Sequence, residues 1–134
     1  MSRAAKSVFI YSLYALALGA SLVVVPNFVL VTFGFPPTTE GIVRVAGMLF
    51  FLMGFIHLRT ARRNITNLIQ LGSYLRWAAS AMMASFYFLG FIQRGILLLS
   101  AIDLVTATWT ALALRADSRA TQAQNQHPTD KAFV

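Results

Sequence analysis

The chain has 134 residues, 57% of them hydrophobic and 11% charged, with no cysteine and a formal net charge of +7. A mean hydropathy of +0.67 is not that of a soluble domain of this size, and the absence of thiols excludes disulfides, thiolate metal sites and cysteine nucleophiles. Two histidines and four acidic residues are too few to suggest a side-chain metal site, so no metal and no cofactor is expected.

No charge interrupts the stretch from Ser7 to Thr39. Three further apolar stretches follow, and each reaches or nearly reaches the roughly 20 residues that carry a helix across ~30 Å of hydrocarbon. The predicted spans are 7–35, 41–58, 71–92 and 95–114. Short connections between them predict an all-α integral membrane protein, an antiparallel four-helix bundle over residues 1–115 with consecutive helices in contact.

The first span begins after Arg3 and Lys6, like a signal peptide, but its apolar run continues to Phe35, so an uncleaved anchor is expected. Pro26 should kink it, and Gly34 with Pro36 and Pro37 should end it. Thr38 or Thr39 is placed to cap the second helix, with Glu40 in its first turn. After Arg115 the composition turns polar, and residues 116–134 read as a disordered cytoplasmic tail.

Charge follows the same topology. Arg3, Lys6, Arg59, Arg62, Arg63, Arg115, Arg119 and Lys131 fall on one side of the spans, against Arg94 on the other. The positive-inside rule then puts both termini in the cytoplasm, in a multi-pass protein of the cell's inner (plasma) membrane. Leu58 to Asn64 has no aromatic residue interleaved with its arginines, which speaks against nucleic acid and for membrane lipids as the partner of this basic side.

Polar residues inside the spans are costly and fall in stripes. Ser73, Arg76, Ser80 and Tyr87 share a face of the third span, and Ser100, Asp103, Thr106 and Thr110 share one of the fourth. Tyr11, Tyr14 and Ser21 align on the first, and Arg44 aligns with Gly47 and Gly54 on the second. Such stripes face neighbouring helices, where packing and interhelical hydrogen bonding are their simplest use.

Asp103 lies eight residues, ~12 Å, inside the fourth span. Arg44 enters from the same side, so a buried Arg44–Asp103 pair is one reading, with Glu40 or the outer headgroups as competing partners for Arg44. Arg76 would be a second interior cation, one to two turns from the cytoplasmic end, and two cations against one carboxylate would favour a bound anion or polar head. Tyr14, Ser80, Tyr87 and Trp109 are the expected lining of such a site. His57 reads as an interfacial residue near the end of the second span.

The four short spans, Arg44-Val45-Ala46-Gly47 leading into a Leu/Phe-rich helix with Gly54, and the closing Ala101-Ile102-Asp103-Leu104 and Trp109-Thr110-Ala111-Leu112-Ala113-Leu114 resemble the DoxX-like group of small bacterial membrane proteins. For the family that gives the group its name, the resemblance implies a membrane subunit of a quinone-reducing, sulfur-oxidising complex. It transfers no catalytic residue, and no catalytic motif occurs elsewhere, so whether the protein is an enzyme is open. Two functions are therefore expected: an accessory or scaffolding membrane subunit, working as a homo-oligomer or within a larger complex, or a binder of a lipophilic molecule such as a quinone, fatty acid or isoprenoid lipid.

Overall fold

In the computed structural model, which describes residues 1–125, the chain folds as α1 (Arg3–Val24), α2 (Pro26–Thr32), α3 (Ile42–Arg63), α4 (Thr66–Phe88) and α5 (Gly95–Asn125). Three of these, α1, α3 and α5, are long and apolar enough to cross a membrane. At 23 residues α4 is as long, but Asn67, Gln70, Ser73 and Arg76 make it less apolar.

Pro26 does more than kink the first predicted span; it splits it. Proline has no N–H for Leu22 and its ring crowds that carbonyl, so α1 stops at Val24 and α2 restarts with Pro26 at its first position. Gly34, at φ +79°, then ends α2. The Phe35 N–H bonds the Leu30 carbonyl at 2.8 Å and the Gly34 N–H bonds that of Val31 at 3.0 Å, the paired bonds of a Schellman stop. Gly90, at φ +76°, ends α4 in the same way. The expected Thr38 or Thr39 cap is not made: α3 starts after Gly41 without a side-chain cap, and Glu40 stays outside the helix.

Packing follows the order α3–α1–α5–α4, with α3 and α4 barely touching although a two-residue turn joins them. Glycines bring α1 against α3. A Cβ on Gly19 would lie 2.5 Å from the Phe51 nitrogen, and one on Gly47 would lie 2.6 Å from the Leu22 Cβ, so neither site admits a larger residue at this helix spacing. At one end Ala4, Ala5, Val8, Ala61, Ile69 and Ala113 close a small apolar core. Ser2 Oγ donates to Asn64 Oδ1 at 2.8 Å there, which gathers Arg3, Lys6, Arg59, Arg62, Arg63, Arg115 and Arg119 at this end.

The expected disordered tail is corrected over its first ten residues, which continue α5 to Asn125. Ala116 to Asn125 has neither Gly nor Pro, and Asp117 is anchored. Its carboxylate accepts the N–H groups of Arg3 at 3.4 Å and Ala4 at 3.1 Å, satisfying donors that the first turn of α1 leaves open and meeting the positive end of its dipole. The rest of the tail, with His127 and Lys131, lies outside the described residues.

Candidate functional site

The gap between α3 and α4 has α1 and α5 as its floor, and the polar stripes converge there. Tyr11 of α1 donates its hydroxyl to Asp103 Oδ1 of α5 at 2.9 Å. Arg76 of α4 lies across the Tyr11 ring, its Cζ 4.1 Å from the ring centroid. The guanidinium also spans to α5: Nη1 donates to Thr106 Oγ1 at 3.2 Å and Nη2 to Thr110 Oγ1 at 2.9 Å. Ser7 Oγ lies 2.9 Å from the same Thr110 hydroxyl. Tyr11, Arg76 and Asp103 are each 5% exposed, and in such buried surroundings each polar group depends on its partner.

One donor has none. Arg76 Nε is buried without a hydrogen-bond partner among the described residues, which is costly for a charged group in an apolar interior. On the acceptor side, Asp103 Oδ2 receives no hydrogen bond among the described residues, since Tyr11 occupies only Oδ1.

His57 closes the α3 side. Its Nδ1 lies 2.8 Å from the Met53 carbonyl; because a carbonyl only accepts, Nδ1 carries the proton and Nε2 is left as an acceptor in the neutral ring. The ring sits edge-on to Tyr11, centroids 5.4 Å apart. It faces Gly72 of α4, where a Cβ would stand 3.3 Å from Nε2.

These groups border a cavity of ≈ 190 Å³ that is otherwise lined by apolar side chains, among them Phe50, Met53 and Met83. Phe50 and Met83 also border a second cavity of ≈ 410 Å³, which reaches Leu18, Val29, Phe33 and Ile96 and is almost wholly apolar. The cavity beside the polar cluster and the larger apolar one therefore share Phe50 and Met83 in their linings. The larger volume falls within the ~300–1,000 Å³ typical of small-molecule pockets. Among the described residues no three His, Asp or Glu side chains gather to hold a metal.

Of the residues expected at the site, the structure brings Asp103 and Arg76 together. Arg76 is ten residues into α4, ~15 Å from its start, deeper than expected because α4 begins at Thr66. The Arg44–Asp103 pair is not formed. Arg44 is exposed and donates to the Val23 carbonyl, one of the carbonyls freed where α1 ends, and α1 separates α3 from α5. With Arg44 outside, the expected excess of interior cations disappears.

Ser80 is buried but spends its hydroxyl on Ser100, with Oγ 2.9 Å from both the Ser100 carbonyl and its hydroxyl, so it clasps α4 to α5. Tyr14 is half-buried beside Tyr11, centroids 6.0 Å apart, and borders neither cavity. Tyr87 stacks on Phe88 near the end of α4, and Trp109 is 47% exposed on the outer face of α5; neither is lining. Sequence reasoning missed Tyr11 and His57 as site residues. The aligned Tyr11 and Tyr14 signalled a polar face on α1 without saying which ring pointed inward, and His57 gave no signal beyond its depth.

Comparison with family models, curated proteins and solved structures finds no match for this chain.

Proposed function

We propose that this protein binds a lipophilic small molecule, its polar head among Tyr11, His57, Arg76 and Asp103 and its apolar part in the chamber walled by α2. The observation that carries this reading is the pair of adjacent cavities that share Phe50 and Met83 in their linings, the smaller one bordered by Tyr11, His57, Arg76 and Asp103. An amphiphile set across both cavities gains dispersion contacts along the apolar lining and meets the acceptors of Asp103 and His57 with its head. In the same reading α4 crosses the bilayer beside the other three long helices, with its polar face turned to α5, giving a four-helix bundle. The seven basic residues gathered at one end favour an inner-membrane protein with that end cytoplasmic. Kinship with the DoxX-like group is proposed on the residues quoted for it.

Native mass spectrometry of the mildly solubilised protein, with organic extraction of what it carries, tests the ligand. One lipophile retained near one per chain, and lost in Met83→Trp, is the expected result. An empty protein, or one carrying only bulk lipid at random, rejects the reading.

A second reading, an accessory or scaffolding subunit, draws on α3. Val45, Met48, Leu49, Leu52, Phe55 and Ile56 are each at least 46% exposed, a face that suits lipid or a partner helix equally. Cysteine crosslinking at Leu52 in native membranes tests it, since a single crosslinked partner would favour scaffolding.

A further inference from the structure

The polar compartment holds one guanidinium and one carboxylate, Arg76 and Asp103, whose formal charges cancel, while Arg44 is held outside by the Val23 carbonyl. Building on the ligand-binding reading, we infer that the head group this site takes is uncharged and hydroxyl-bearing, rather than a carboxylate, phosphate or ammonium.

Charge is the first argument. An ionic head entering this compartment would leave a net charge within a membrane interior, where an unpaired charge is expensive. The second is the inventory of unused hydrogen-bonding atoms. Arg76 directs both Nη atoms to Thr106 and Thr110 and its Nε is fully buried, so what it brings to the compartment is its charge. Asp103 Oδ1 is taken by Tyr11, leaving Oδ2 as an acceptor. The His57 Nδ1 proton goes to Met53, leaving Nε2 as another.

Two acceptors, on Asp103 and His57, therefore belong to residues that border the cavity. A hydroxyl donates without carrying charge, so a head with one or two hydroxyls can give to Asp103 Oδ2 or His57 Nε2. A carboxylate or phosphate dianion only accepts, and would set its oxygens against those of Asp103. An ammonium also donates, but adds a second cation beside the guanidinium. The hydroxylated neutral head is the class that meets both conditions.

The test offers the delipidated full-length protein in mild detergent three amphiphiles of equal chain length, monolaurin, laurate and dodecylammonium, and reads retention by native mass spectrometry. Monolaurin should be retained at least about tenfold better than either ion. In Asp103→Asn the Arg76 charge loses its counterpart, and laurate should overtake monolaurin. His57→Phe removes the Nε2 acceptor without changing the charge count. It should weaken monolaurin severalfold while leaving laurate unchanged, and it carries the test if Asp103→Asn does not fold.

Laurate or dodecylammonium binding as well as monolaurin to the unaltered protein overturns the inference about the head while leaving the ligand site standing. Unchanged monolaurin retention in His57→Phe overturns it too. Retention of none of the three rejects the ligand site itself.

Discussion

The Tyr11 ring lies between the two interior charges: Arg76 Cζ is 4.1 Å from its centroid and Asp103 Oδ1 is 2.9 Å from its hydroxyl. Both charges are thus coupled through an aromatic residue instead of meeting directly, which leaves one atom on each, Arg76 Nε and Asp103 Oδ2, without a hydrogen bond among the described residues. A directly paired arginine and aspartate would consume their donors and acceptors on each other. The bridging ring is what makes this a site as well as a structural contact.

Tyr11 substitutions should separate the two halves of that bridge. Tyr11→Phe keeps the cation–π contact and removes the hydroxyl, leaving Asp103 without its one hydrogen bond. A loss of about 1–3 kcal/mol is expected from an orphaned buried acceptor. Tyr11→Leu also removes the ring face beneath the guanidinium, and should cost about a further 2 kcal/mol. Unfolding in mixed micelles, with helicity as the readout, measures both; equal losses would mean that the ring contributes nothing.

Close packing of α1 on α3 predicts a sharp position dependence among glycines. Gly19→Ala puts a methyl 2.5 Å from the Phe51 nitrogen and 2.8 Å from the Gly47 carbonyl oxygen, both backbone atoms that cannot swing aside. The helices must separate, at about 1–3 kcal/mol for overpacking. Gly41→Ala meets nothing within 4 Å and should be close to neutral. Thermal midpoints of the two variants, compared in one detergent, check the contrast.

The serine clasp between α4 and α5 offers a pairwise test. Ser80 and Ser100 exchange bonds between hydroxyls and each other's carbonyls, with Ser100 Oγ 3.0 Å from the Ser80 carbonyl. Interhelical hydrogen bonds in membranes average ~0.6 kcal/mol. A double-mutant cycle of Ser80→Ala and Ser100→Ala should return a coupling of about that size; zero coupling would show that the two hydroxyls act independently.

Much of this interior was legible because the helical period alone reveals a shared face. Of the stripes Ser73–Arg76–Ser80–Tyr87 and Ser100–Asp103–Thr106–Thr110, all but Tyr87 and Thr106 are buried, and those two are half-buried, since an apolar surrounding leaves such residues few other places to point. Neighbour order was not legible. Arg44 and Asp103 were matched by depth from the same side, but α1 lies between α3 and α5, and depth carries no information about which helix is adjacent. Consecutive helices were expected to touch, whereas α3 and α4 enclose the cavity at His57 and Gly72. The helical extension past Arg115 was hidden for a related reason: a polar sequence reads as unburied, and only the placement of the α1 start beside Asp117 shows what that segment caps.

Arg44→Gln and Met83→Trp should separate the surface from the site. Arg44 borders neither cavity and bonds a carbonyl near the end of α1, so Arg44→Gln should cost at most about 1–2 kcal/mol, the scale of a lost hydrogen bond or helix cap, and leave ligand retention unchanged. Met83 lines both cavities, and an indole there takes up space where the proposed head and tail would meet. Met83→Trp should therefore lose the bound lipophile while retaining the helical fold, as read by mass spectrometry and circular dichroism on one preparation. If instead Arg44→Gln emptied the protein and Met83→Trp did not, the ligand would sit at the outer end of α1 and α3, and the compartment around Tyr11 would be a purely structural knot.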